Sequence, residues 1–201
     1  MKYRFPDLLR PFLGKLTWRK QPSSKLIYLT FDDGPVPEVT PQILEILNAN
    51  NIKATFFCVG ENVTKNPKLY AEILKLGHKT GNHTFNHLRG DAVRNEEYFA
   101  NIKKAAQHIE SKLFRPPHGR ISFSQKRKLH PDFEIVMWDI LTHDYNRNLS
   151  PETILKNIKR YTRNGSIVVF HDSIKAKNNV LGVLPEAIEF WKNEGYEFGI
   201  L

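Results

Sequence analysis

The sequence predicts an α/β protein built on a parallel sheet or β/α barrel. Three observations carry this. About seven short apolar runs of strand length alternate with segments whose apolar residues recur at spacings of three and four, as parallel strands with crossover helices require. Polar residues stand just after five of those runs, at the strand ends where β/α barrels build their sites. A chain of 201 residues, 40% hydrophobic and 25% charged, suits one globular domain and excludes wholesale disorder.

Each element follows from local chemistry. Leu26–Phe31 reads as a strand stopped by Asp-Asp-Gly-Pro. Thr40-Pro41 reads as N-cap and first helical residue, with Ile43, Leu44 and Leu47 on one face. Ala54–Val59 is the second strand, ended by Gly60. Leu69, Ile73 and Leu76 mark a helix capped by Gly77, and His78–Asn82 is a short strand. Tyr98, Ile102, Ala105 and Ile109 predict the longest helix. Leu113–Arg115 is a short strand before Pro116-Pro117, and Glu134–Asp139 is a clear strand. Ile154, Ile158 and Tyr161 form a helix face opened by Ser150-Pro151. Ser166–His171 is a buried strand, Leu184, Ile188 and Trp191 form the last helix, and Tyr196–Leu201 closes the chain as a strand. Internal repeats and linkers are absent from the sequence.

The net charge of +9 is uneven. Residues 1–24 carry +5 and residues 101–130 carry +7, while the remainder is slightly acidic. This divides the chain into a basic N-terminal segment, 1–24, packed on the domain or flexible, and a domain over 25–201. No nucleic-acid motif accompanies the charge, so no nucleic-acid partner is expected. An anionic cell-wall or membrane-surface contact through the N-terminal segment is retained as an expectation. No apolar run approaches the ~18–20 residues of a membrane span. Arg4, Pro6, Asp7, Arg10 and Pro11 interrupt any signal-peptide core. A lone cysteine, Cys58, excludes an internal disulfide and any CxxC site.

The chemistry lies at the strand ends. Asp32-Asp33 follows the first strand; of two adjacent acids, one can bind a metal while the other stays free as a base. His83-Thr-Phe-Asn-His87 has a four-residue spacing, which on a helical turn places both imidazoles on one face. Two histidines and a carboxylate leave positions open on a metal, as a catalytic site requires. Arg115, Asp139 and His171-Asp172 follow later strands. His78, His108, His130 and His143 read as structural or exposed.

Five segments occur in order: Thr30-Phe31-Asp32-Asp33-Gly34-Pro35, His83-Thr84-Phe85-Asn86-His87, Arg115-Pro116-Pro117-His118-Gly119, Trp138-Asp139, and Val169-Phe170-His171-Asp172. Together they resemble the motifs of the NodB-type polysaccharide deacetylases, carbohydrate esterase family 4. The resemblance covers residues 25–201. It implies a distorted (β/α) barrel, the NodB homology domain, that removes N-acetyl groups from an amino-sugar polymer such as peptidoglycan or chitin. By the same resemblance Asp33, His83 and His87 hold a divalent metal, zinc first, with cobalt or iron also suited. Asp32 is the base, Arg115 orients it and His171 is the acid. The backbone N–H of His118 faces the oxyanion, and Trp138 and Val169 line the acetyl pocket.

Two positions depart from the family pattern. His118 stands where tyrosine is common. Leu141 stands where many members carry an aspartate that tethers the acid histidine, so either Asp139, Asp144 or Asp172 takes over that tether or His171 is untethered. Two other readings stay open: a glycan-binding protein of this fold with reduced or lost catalysis, and a non-haem Fe(II) oxygenase with the same ligand types. The expected partner is an N-acetylated glycan and the expected state a monomer. With no signal visible, the sequence points to the cytoplasm, although the family's substrates often lie in the cell envelope.

Overall fold

The computed structural model describes residues 3–201; Met1 and Lys2, part of the basic segment, lie outside the described residues. Seven strands form one continuous parallel path. They are β1 (Leu26–Asp32), β2 (Thr55–Cys58), β3 (Lys79–Asn82), β4 (Leu113–Phe114), β5 (Glu134–Ile135), β6 (Ile140–Leu141) and β7 (Ser166–His171). Their order is β5-β4-β3-β2-β1-β7-β6, and β8 (Glu197–Gly199) pairs with the start of β1. The helices are α1 (Thr40–Ala49), α2 (Gly60–Lys65), α3 (Pro67–Lys75), α4 (Asn95–Ala106), α5 (Phe123–Leu129), α6 (Pro151–Tyr161) and α7 (Lys177–Asn193). The sheet curls into a half-barrel.

The period-two alternation of a strand explains the two faces of β1. Ile27, Leu29 and Phe31 face the helices and join the main core with Ile43, Leu47, Val168, Leu184 and Trp191. Phe31 stacks between Phe56 and Phe170, with centroids 5.0 and 5.9 Å away. Burying one such ring contributes about 1.5–3 kcal/mol. Tyr28 packs on the other side with Phe57, Val136, Ile167 and Leu201. Thr30 and Asp32 share that inner side, where the Arg115 guanidinium meets both.

Four elements differ from the expectation, the first being α4, which has 12 residues and ends before Ile109, so that α7 with 17 is the longest helix. Glu134–Asp139 is not one strand. The ladder with β4 stops after Val136, whose N–H bonds the Phe114 carbonyl at 2.8 Å, because Arg115-Pro116-Pro117 follows and proline supplies no N–H. The chain then crosses to β7 and pairs there as Ile140–Leu141. The other two are helices, α2 and α5, unforeseen in the sequence. For α5 the signal was present: Ser122 and Gln125 form a capping box.

The N-terminal segment inserts into the gap this crossing leaves. Thr17 N–H bonds the Ile135 carbonyl at 2.9 Å, Met137 N–H bonds the Thr17 carbonyl at 2.8 Å, and Lys20 N–H bonds the Gly165 carbonyl at 3.0 Å. Residues 17–20 thus bridge the end of β5 and the start of β7. Buried Asp139 anchors the 3₁₀ turn Asp7–Leu13, accepting from Arg10 at 2.7 Å, Arg163 at 2.5 Å and Ser166 at 2.8 Å. Burial alone would raise the Asp139 carboxyl, but these hydrogen bonds hold it below the ordinary range.

Candidate active site

The C-terminal ends of β1, β3 and β7 and the loops after β4, β5 and β6 surround a cavity of about 470 Å³. Asp32, Asp33, His83, His87, His118, Trp138 and His171 line it. Consecutive strand residues ordinarily face opposite ways, yet Asp32 and Asp33 both reach this cavity. The reason is the left-handed backbone at Asp33, φ 87°, which breaks the alternation just past the strand. Gly34 follows where Asp172 packs so closely that a Cβ would lie 1.8 Å from its Oδ2.

Asp32 is buried and accepts a 2.6 Å hydrogen bond from Arg115 Nη1. Arg115 is itself fully buried and fixed at four points. It donates to Thr30 Oγ1 (2.9 Å), the Met137 carbonyl (3.0 Å) and the Val136 carbonyl (3.3 Å), and its guanidinium lies 4.0 Å from the Phe57 ring centroid. Burial draws its pKa down, against the opposing charge and hydrogen bond of Asp32.

His83 and His87 do not sit on a helical turn. His83 directly follows β3, and the chain bends through left-handed Thr84 (φ 64°) and His87 (φ 60°). The loop is held from behind by the first amides of α2. Gly60 N–H bonds the Thr84 carbonyl at 3.0 Å and Glu61 N–H bonds that of Phe85 at 2.7 Å. The two rings end 5.1 Å apart. Strained left-handed residues at Asp33, Thr84, His87 and His118 gather around this one cavity, a pattern expected where a site over-determines its backbone.

These three side chains fit a metal ion. Asp33 Oδ1 lies 3.3 Å from His87 Nε2 and 3.7 Å from His83 Nε2, and all three ligand atoms fall within 4.8 Å of one another. Ligands ~2.0–2.1 Å from a tetrahedral ion stand about 3.3 Å apart. His83 Nδ1 bonds the Arg115 carbonyl at 2.7 Å, which fixes the tautomer with Nε2 free to ligate. Burial lowers His83 to about 4, so it is neutral near pH 7. Burial pushes Asp33 up, but His171, His83, His87 and His118 together outweigh it and hold the carboxyl below its ordinary range.

His171 is tethered by Asp144. The Nδ1–Oδ1 distance is 2.7 Å, and Asp144 Oδ2 accepts His171's backbone N–H at 2.7 Å. Burial would lower His171, but the Asp144 charge and hydrogen bond, with Asp33 and Asp32, raise it to about 9. Of the three candidate tethers, Asp139 is occupied by Arg10 and Arg163. Asp172 accepts from Gly34 N–H (2.9 Å) and Thr40 Oγ1 (2.7 Å), which joins the Asp-Asp loop to α1.

Several other placements sharpen the picture. Trp138 lines the cavity, and so does Leu141; Val169, expected as a pocket wall, is wholly buried within β7 instead. The His118 side chain faces the groove, its ring 4.7 Å from that of His87. Tyr145, Ser173 and Lys175 also line the cavity and were not anticipated. Tyr145 packs edge-on against His171 at 4.9 Å; its position beside Asp144 was the one available signal.

A half-barrel that gathers an Asp-His-His triad between an Asp–Arg pair and an Asp–His pair defines a hydrolase-type centre. The chain belongs to the polysaccharide deacetylase family, whose model matches residues 19–130. It is 34% identical over 194 residues to a peptidoglycan-N-acetylglucosamine deacetylase of Bacillus cereus, covering 92% of this chain and 90% of that one. It is 32% identical over 181 residues to a chitooligosaccharide deacetylase of Azorhizobium caulinodans, covering 84% and 80%. Other curated relatives are longer, and the chain spans 56% of a second Bacillus cereus deacetylase. Among solved structures, a peptidoglycan N-acetylglucosamine deacetylase in complex with 4-naphthalen-1-yl-N-oxidanyl-benzamide superimposes with a TM-score of 0.91 at 31% identity, covering 98% of this chain and 95% of that one. A CE4 family pseudoenzyme from Bacillus anthracis gives 0.81 at 26% identity, covering 92% and 66%.

Proposed function

We propose that this chain is a metal-dependent N-deacetylase acting on peptidoglycan N-acetylglucosamine, with chitin-like oligomers as the second substrate class. The observation that carries the reading is the grouping of a metal-ligand triad, an Arg-held carboxylate and an Asp-held histidine around one cavity.

Asp33, His83 and His87 would hold the divalent ion, for which zinc is the first expectation. When bound, such an ion polarises the amide carbonyl and lowers the pKa of water. Asp32 takes the proton of the attacking water while Arg115 keeps its carboxylate oriented. The new C–O bond forms as the carbonyl π pair moves onto its oxygen, and the C–N bond breaks afterwards, when that pair re-forms the C=O bond. His171, protonated and fixed through Nδ1, delivers a proton from Nε2 to the departing amine, which is otherwise a poor leaving group. The backbone N–H of His118 faces the developing oxyanion. Trp138 and Leu141 enclose the acetyl methyl. The products are acetate and a free amino sugar.

The test is acetate release from N-acetylglucosamine oligomers and purified peptidoglycan, with zinc or cobalt supplied. Release that Asp32→Asn abolishes supports the assignment; release that survives it removes Asp32 as the base. The likeness to a pseudoenzyme favours a second reading, glycan binding without turnover. The presence here of every ligand and both acid–base groups weighs against it, and oligomer binding with no acetate release under any metal would establish it.

A further inference from the structure

We propose that the 3₁₀ turn Asp7–Leu13 and the start of α5 together form a docking surface for an anionic lipid bilayer. The inference is independent of the deacetylase reading. Among the described residues, six large apolar side chains stand exposed, and four of them belong to these two segments: Leu8 and Phe12 at 82%, Leu9 at 47% and Phe123 at 70%. Lys126 makes the two segments one surface. Its Nζ donates to the Leu13 carbonyl and lies 5.4 Å from the Phe123 ring centroid. The turn is also pinned. Arg10 bonds buried Asp139, and Asp7 pairs with Arg10 and Arg163. Its outward side chains are therefore held out on an anchored frame. Trp18 is buried and stacks on Phe5 at 5.1 Å, so the segment has an inward anchor that does not use Leu8, Leu9 or Phe12.

Charge selects the occupant. The two most basic stretches of the sequence, 1–24 and 101–130, are the two that meet here. Lys15, Arg127 and Lys128 stand exposed within five residues of Phe12 or Phe123 along the chain. Asp7, the one acid of the N-terminal stretch, is engaged by Arg10 and Arg163. Exposed apolar side chains with exposed cations close by in the same two segments match a bilayer interface, where apolar side chains enter below the headgroups and lysine and arginine meet anionic lipid. Nucleic acid would leave the apolar side chains unused. A second copy would bring the same cations against these, at a like-charge cost.

The experiment is co-sedimentation of the full chain with vesicles of phosphatidylglycerol and phosphatidylcholine, against vesicles of phosphatidylcholine alone. The expected result is binding to the anionic vesicles that weakens with salt. A Leu8→Ser/Phe12→Ser/Phe123→Ser variant should bind at least ~10-fold more weakly, since each removed side chain gives up bilayer burial. Its circular dichroism and its acetate release from soluble oligomers, if any, should be unchanged, because these side chains touch neither core nor cavity. Equal binding by the variant, equal binding to neutral vesicles, or no binding by the parent chain would overturn the proposal. A dimer in light scattering that the variant abolishes, with no vesicle binding by the parent, would also overturn it and assign the patch to self-association.

Discussion

Asp144 grips His171 twice, through the ring Nδ1 and through the backbone N–H, each at 2.7 Å. The first contact sets the tautomer and stabilises the protonated ring. The second fixes where the ring stands at the end of β7. Asn in place of Asp144 keeps a hydrogen-bonding side chain but removes the charge. The Asp144→Asn variant should lose about 10²–10⁴-fold in kcat, the usual size of an acid–base contribution, with little change in KM. Steady-state kinetics on an N-acetylglucosamine oligomer checks this.

The same pair has a pH signature. His171 is raised from 6.5 to about 9 in the folded chain, where burial is outweighed by Asp144 and the nearby aspartates. A raised folded pKa contributes stability fully below the unfolded value and loses it as pH rises through the folded one. The metal-free protein should therefore lose stability between about pH 6.5 and 9 through this group, and Asp144→Asn should flatten that loss. Denaturant titrations at a series of pH values read it directly. A bound cation nearby disfavours the protonated ring, so adding zinc should move the His171 titration, followed by NMR, to lower pH.

Arg115 is a buried cation whose partner, Asp32, is also buried. Removing it leaves Asp32 uncompensated, at a cost of about 3–5 kcal/mol. Arg115→Met should lower the unfolding free energy by that order as well as activity. Lysine should not restore either, because one ammonium cannot reach Thr30, Asp32 and two carbonyls from a planar fork. Urea unfolding of both variants beside the parent chain decides the point.

Gly34 is demanded by a close approach. Its missing Cβ is filled by the Asp172 carboxylate, which also bonds the Gly34 N–H and Thr40. Gly34→Ala should push the Asp32-Asp33 loop away from Asp172 and weaken zinc binding at least ~10-fold, since a displacement on the order of 1 Å in a supporting shell is enough to disable a site. Isothermal titration with zinc measures the change.

Direct removal of a ligand makes the plainest case. Asp33→Ala should abolish stoichiometric zinc binding while leaving the fold intact, because Asp33 borders the cavity rather than the core. Elemental analysis after dialysis against zinc, with circular dichroism as the fold control, separates the two effects.

Much of the fold was legible because local patterns and global packing agree. The alternation of Ile27, Leu29 and Phe31 with Tyr28, Thr30 and Asp32 already divides helix-facing from interior residues. Asp33, His83 and His87 were recognisable as a ligand set from residue type and motif order. Their geometry was not, since left-handed bends at Asp33, Thr84 and His87 replace the helical turn that the four-residue spacing suggests.

The tether of His171 shows the limit most clearly. Asp139, Asp144 and Asp172 were not separable in sequence, because each lies in or near a motif and each is an acid. Only the packed chain separates them, sending Asp139 to Arg10 and Arg163, Asp172 to Gly34 and Thr40, and Asp144 to His171. The N-terminal segment teaches the same lesson, because its pairing partners, Ile135, Met137 and Gly165, are more than a hundred residues away. Residue type and local periodicity therefore determined most strands, most helices and the chemical inventory of the site. Tertiary structure decided which carboxylate serves which partner, because that choice depends on distances between segments that no local pattern encodes.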